Sequence, residues 1–150
     1  AQVIAESMFL MASLPIPIIC VVIGEGGSGG ALGIGVGDRV AILEHAYYSV
    51  ISPEGCAGIL WKSAEFKADA ARALRMRSRD LSEFGVVDHV IDEPAGGAHR
   101  EPRQMASRLK TYLTRTLKEL SQESVDSLVE ARYMRFRQLG VYLDPAETDA

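Results

Sequence analysis

Apolar positions run almost unbroken through the first third of the chain and then thin to a helical period. Ile4, Met8 and Met11, with Phe9, recur at helical spacing and predict a helix over 2–13, which Pro15 and Pro17 end. Ile18 to Ile23 is a continuous apolar run rich in β-branched residues, as in a strand buried on both faces. Five glycines in seven residues follow, Gly24 to Gly30, which predict a tight loop. A short helix is expected over 31–36 despite Gly33 and Gly35, then strands over 39–43 and 47–51.

Beyond this point the pattern is amphipathic. Ser52-Pro53-Glu54 reads as a helix start, because Ser can cap and Pro suits the first turn. Helices are predicted over 55–62, over 63–76 with Ser63 as cap, and over 78–84, stopped by Gly85. A short strand is expected over 86–91 and a loop over 94–102. Two longer helices, 103–120 and 124–139, end at Gly140, and the last ten residues read as a frayed tail.

Composition changes this picture little. The chain has 150 residues, 47% apolar and 24% charged, with a net charge of −4, ordinary for a globular protein and unpromising for nucleic-acid binding. The charge is uneven: residues 1–52 hold one base, Arg39, and four acids, as core sequence does. No basic segment precedes the first apolar stretch, so it does not read as a signal peptide, and a chain opening on core-type sequence suggests residues missing upstream. Cys20 and Cys56 are too few for a disulfide framework or a zinc site and are expected as buried thiols in a reducing compartment.

Candidate chemistry concentrates at 24–30, where a strand enters and a helix leaves. Such a helix start favours negative charge, and glycine lets a ligand approach the backbone. Three readings compete. Gly24-x-Gly26-x-x-Gly29, with Glu44 twenty residues beyond Gly24, fits a dinucleotide fingerprint, although the helix that follows is short and glycine-rich. Gly26-x-Ser28-x-Gly30 fits a hydrolase elbow, which needs an acid (Asp88 or Asp92) and a histidine (His45, His89 or His99). In the third reading no side chain reacts. Gly29 and Gly30 present backbone N–H groups to an anionic oxygen, and the Ser52–Gly55 turn forms a neighbouring wall.

Four blocks add a further argument. Val22-Ile23-Gly24-Glu25-Gly26-Gly27-Ser28-Gly29-Gly30-Ala31-Leu32, the segment 48–57, Ile59-Leu60-Trp61-Lys62 and Glu93-Pro94-x-Gly96-Gly97-Ala98-His99-Arg100 resemble the alpha-subunit family of bacterial acetyl-CoA carboxylase carboxyltransferase. The resemblance extends to Gly140 and includes Arg132-Tyr133. It implies an α/β fold, the crotonase (ClpP-like) spiral of β-β-α units, incomplete at the N-terminus, with C-terminal helices. On that basis 1–100 would be the later part of a carboxyltransferase domain, 101–140 a helical extension and 141–150 a disordered tail.

The resemblance also implies an activity: transfer of a carboxyl group from biotin on its carrier protein to acetyl-CoA, giving malonyl-CoA for fatty acid synthesis in the cytoplasm. Implied partners are a carboxyltransferase beta subunit, the biotin carboxyl carrier protein and biotin carboxylase, with two alpha and two beta chains. Gly29 and Gly30 would be backbone oxyanion donors toward biotin, and Gly26, Gly27 and Ser28 would line the loop near its ring. No metal is implied in this chain. Hydratases of the wider superfamily carry a catalytic Glu where this chain has Leu32, aligned on Asp38, so hydratase chemistry fails; Glu54 is expected as helix-start charge. A dinucleotide-binding fragment and a non-catalytic assembly piece stand as alternatives. His45 and His89 are expected to be structural, His99-Arg100 to anchor a loop, Trp61, Tyr47 and Tyr48 to be core or wall, and Arg72, Arg75, Arg77 and Arg79 to form a solvated face.

Overall fold

The computed structural model describes residues 2–140. Its elements run α1 (Gln2–Ser13), β1 (Ile19–Val22), β2 (Glu25–Gly27), α2 (Ser28–Ile34), β3 (Arg39–Leu43), β4 (Tyr47–Ser49), α3 (Pro53–Leu60), α4 (Lys67–Leu74), α5 (Ser78–Glu83), β5 (His89–Ile91), α6 (Pro102–Leu120) and α7 (Val125–Arg137). The strands form two parallel ladders. One has the order β1-β3-β5, and the other pairs β2 with β4. Registers such as Cys20 with Val40 and Ile42 with Val90 fix the first, and Gly26 with Tyr48 fixes the second. Two β-β-α turns are therefore explicit, β1-β2-α2 and β3-β4-α3, as the expected spiral requires.

The core lies on the larger ladder. Val40, Ala41, Ile42 and Leu43 of β3 are all buried, and Met105 and Tyr112 bring α6 onto the same cluster. A second, smaller cluster joins α3 and α4 through Cys56, Ala57 and Ala70. Both cysteines are free and buried, as expected, and burial pushes the Cys20 thiol above its ordinary pKa.

Several expectations are corrected. The glycine stretch 24–30 is not a loop throughout: Glu25–Gly27 is strand and the helix begins at Ser28, three residues early. Periodicity cannot find such a strand, since glycine carries no side chain to alternate. The helix expected over 63–76 breaks into a 3-10 turn, Ala64–Phe66, followed by α4, which Arg75 ends in the left-handed region at φ 44°. The strand over 86–91 shrinks to His89–Ile91, because the Val86 and Val87 N–H groups turn back to the Leu81 carbonyl behind Gly85. No residue of α1 is buried, and Phe9 on its expected apolar face is 80% exposed. Trp61 is no core residue either; it stacks on Phe66 at the surface. The tail over 141–150 lies outside the described residues.

Buried charge ties the helices to the sheet. Arg132 of α7 is 1% exposed, and Nε and Nη2 donate to Asp38 Oδ1 and Oδ2, each at 2.9 Å. Its remaining N–H groups donate to the carbonyls of Met11 (2.6 Å), Leu14 (2.9 Å) and Ile16 (2.8 Å), so all five guanidinium donors are used. The α-helical partner of the Met11 carbonyl would be Pro15, which has no N–H; within the backbone that carbonyl accepts only a long bond, 3.4 Å, from the Leu14 N–H. Asp38 Oδ2 also accepts the Ile18 N–H at 2.6 Å. One turn along α7, Arg135 reaches Asp88 at 3.2 Å, and Asp88 Oδ2 accepts the Val40 N–H. Removing one partner of such a buried pair leaves the other uncompensated, so Arg132→Met is expected to lower stability by about 3–5 kcal/mol in urea unfolding. Exposed Arg103→Met should change it by less than about 0.5 kcal/mol.

Candidate functional site

The β2–α2 edge sorts its glycines into two kinds. A Cβ built on Gly26 would stand 2.8 Å from Tyr48 Cδ2 and 2.9 Å from Val22 Cγ1, and one on Gly35 only 2.3 Å from the Tyr48 hydroxyl. These two are glycine because the chain packs against them. Tyr48 is the wall expected from sequence: it is half-buried, and its hydroxyl donates to the Ala31 carbonyl at 2.7 Å. Burial raises its pKa.

Gly24, Gly27 and Gly30 differ. A Cβ on any of them would meet nothing within 4 Å, and one on Gly29 would meet only Ile4 Cδ1 at 3.7 Å. Gly27 has an extended backbone, φ −128° and ψ 152°, open to any residue. Neither packing within the described residues nor backbone conformation explains why these positions lack side chains. At these positions the main chain is left uncovered by the described residues. Helix α2 starts at Ser28, so the Gly29 and Gly30 N–H groups fall in its first turn, where no intrahelical acceptor exists. Neither donates to a side chain or a loop carbonyl among the described residues.

Ser28 sits between the two kinds. Its φ of 60° is left-handed, an uncommon and strained conformation for a residue with a side chain. That matches the backbone of a hydrolase elbow. The partners do not. Asp88 stands at the N-terminal end of β5, whereas the glycine edge follows the C-terminal end of parallel β1, and Asp88 is held by the Val40 N–H and Arg135; Asp92 follows the C-terminal end of β5, but among the described residues its side chain bonds no histidine. His45, His89 and His99 are all exposed, and none is hydrogen-bonded to Ser28. His89 instead stacks on Tyr112, with ring centroids 4.9 Å apart.

The dinucleotide reading fails on geometry. A phosphate cradle needs its glycines in the turn between strand and helix. Here Gly24 and Gly26 are drawn into pairing with β4: the Gly24 carbonyl accepts the Tyr47 N–H at 3.1 Å, and Gly26 is in register with Tyr48. Glu44, the expected ribose ligand, accepts the Glu93 N–H at 3.2 Å. Glu93 in turn accepts the N–H groups of His45 (3.0 Å) and Ala98 (2.6 Å). It, rather than exposed His99 or Arg100, latches the 94–100 loop, a role that sequence reasoning missed. The signal was the pair Glu93-Pro94 beside a glycine turn.

The other face of α2 lines an apolar cavity of about 690 Å3, with Phe9, Leu32, Tyr48 and Phe136 in its wall. Among the described residues its lining includes no carboxylate or imidazole, and Leu32 stands in its wall. Among the described residues no group of three or more His, Cys, Asp or Glu could hold a metal ion.

Comparison with known proteins gives the family. The model of the acetyl co-enzyme A carboxylase carboxyltransferase-like family matches residues 1–140. The chain belongs to that family. It is 68% identical over 144 residues to an acetyl-coenzyme A carboxylase carboxyl transferase subunit alpha from Rhodopirellula baltica, covering 96% of this chain and 45% of the relative. It is 53% identical over 146 residues to the subunit of the same name from Methylococcus capsulatus, covering 97% and 46%. The chain thus spans about half the length of these curated relatives. Among solved structures, a Pseudomonas malonate decarboxylase hetero-tetramer in complex with coenzyme A overlaps 87% of this chain and 52% of its own (TM-score 0.66, 17% identity). A methylmalonyl CoA decarboxylase overlaps 97% and 57% (TM-score 0.57, 13% identity). These likenesses place the chain in the crotonase fold.

The two kinds of glycine are separable by experiment. Gly26→Ala should cost about 1–3 kcal/mol of stability, since Tyr48, Val22 and the Tyr47 carbonyl must all move. Gly27→Ala should change stability by less than about 0.5 kcal/mol. Thermal unfolding of the pair checks both.

Proposed function

We propose that this chain is part of a carboxyltransferase alpha subunit, acting in transfer of a carboxyl group from biotin on its carrier protein to acetyl-CoA, with malonyl-CoA as product. The observation that carries the reading is the bare edge of Gly27, Gly29 and Gly30, left open by the chain's own packing. A flat, bulky ring can reach main-chain N–H groups only where no Cβ intervenes. When bound there, biotin supplies the activated carboxyl group.

The chain's own part is electrostatic. Gly29 and Gly30 N–H groups, fixed by the first turn of α2, donate to negative oxygen as it develops. Their geometry is set before reaction, so no reorganisation is needed at the barrier. Gly26 holds the strand close to Tyr48, and Tyr48 holds α2 through the Ala31 carbonyl. Gly27 and Ser28 shape the approach to the ring. Leu32, in the neighbouring wall, offers no carboxylate to compete for the proton.

In this reading the partners are a carboxyltransferase beta subunit, which completes the site, the biotin carboxyl carrier protein and, in the same complex, biotin carboxylase. The setting is cytoplasmic fatty acid synthesis. Among the described residues no helix is long and apolar enough to cross a membrane.

The test is a carboxyl-transfer assay with the full-length protein and its beta partner. Gly30→Val keeps the N–H but puts a branched side chain in the ring's approach, and is expected to lower kcat/KM by about 100-fold or more, as if the donor were lost, while thermal stability is retained. Ser28→Ala should stay within a few-fold of the parent. A dead Ser28→Ala protein with its fold intact would instead favour hydrolase chemistry.

A further inference from the structure

A second cavity, of about 1140 Å3, opens beside β4 at the end of the sheet that carries the glycine edge. Arg72, Arg75, Arg77 and Arg79 face it, against two carboxylates, Glu44 and Asp80. The four arginines are not equivalent, and they are not merely a solvated face. Arg75 is a strut: its guanidinium bonds Asp80 at 2.8 Å and Glu83 at 2.6 Å and stacks 4.3 Å from the Phe84 ring centre. The Asp80 bond, foremost, raises its pKa. Arg72 pairs with Asp69 on its own helix.

Arg77 and Arg79 remain. Among the described residues Arg77 has no carboxylate within 4.0 Å and no side-chain hydrogen bond, and Arg79 reaches Glu44 only at 3.8 Å. The backbone at Arg77 is nonetheless fixed. It bridges Tyr47 in antiparallel fashion, while the Tyr48 N–H donates to the Met76 carbonyl. Segment 76–77 therefore lies along the side of β4 opposite β2, and the left-handed turn at Arg75 (φ 44°) sets its direction. Arg77, on anchored backbone and without a carboxylate partner, and Arg79, only loosely paired with Glu44, line the same cavity. Planar donor forks suit phosphate oxygens. A diphosphate, with its several anionic oxygens, has acceptors enough for two such forks, whereas a single carboxylate has acceptors for one.

We propose that this cavity binds a diphosphate group, with Arg77 and Arg79 as its ligands. The proposal stands without the carboxyl-transfer reading; only the choice of source for the diphosphate rests on it. That group is either the diphosphate of the acetyl-CoA substrate or a free polyphosphate.

Isothermal titration of the full-length protein with inorganic pyrophosphate tests the site. Binding is expected in the parent and in the Arg103→Ala control, and at least tenfold weaker binding in Arg77→Ala/Arg79→Ala. No binding by the parent, or equal binding by the double variant, overturns the proposal. Each single variant is measured beside the double, and thermal midpoints confirm that they fold. The source is then read from kinetics with the beta partner. A tenfold rise in KM for acetyl-CoA, with none for acetyl-pantetheine, assigns the diphosphate to the substrate. Unchanged KM for both assigns it to a free anion. Absence of carboxyl transfer in the parent would sink the functional reading alone, because the titration needs no turnover.

Discussion

One buried guanidinium holds this part of the chain together. Arg132 satisfies the Asp38 carboxylate and, with the same plane of atoms, three carbonyls left over where α1 meets Pro15 and Pro17. Proline ends the helix and brings no N–H of its own to the junction, and a buried carbonyl left unpaired costs about 1–3 kcal/mol. Lysine could not replace arginine here, since a point charge with three donors cannot serve five acceptor contacts in one plane. The result is a junction at which α1, the strand that follows it, the start of β3 and the last helix share one set of bonds.

That edge is organised by a different constraint, the absence of atoms. Gly26 and Gly35 let Tyr48 lie flat against strand and helix; Gly27, Gly29 and Gly30 leave main chain uncovered. The first set is required by the chain's own packing; the second is not. Both occur within ten residues, so sequence density of glycine alone does not separate them. Distance from a hypothetical Cβ does.

Much of the fold was legible in the sequence. Where side chains alternate or repeat, as over β3 and α6, pattern and structure agree to within a residue or two. Where they do not, reading fails for physical reasons. β2 consists of Glu-Gly-Gly, whose partner strand rather than its composition makes it a strand. The break before α4 arises from Ser63, which caps a 3-10 turn instead of an α-helix. Asp38 and Arg132 are 94 positions apart, and nothing local announces their pairing. At the site, residue blocks gave the glycine edge and the family, but the role of Glu93 in latching the 94–100 loop emerged only from its two carboxylate bonds.

The separation of Asp38 and Arg132 also bears on how the polypeptide acquires its shape. During synthesis the ladder of β1 and β3 leaves the ribosome long before α7 exists. Until then Asp38 sits at the mouth of a nascent sheet with no counter-ion. Contacts of such long sequence range form late and slowly. A nascent chain that does not yet include α7 therefore keeps an open joint where the folded chain has a sealed one.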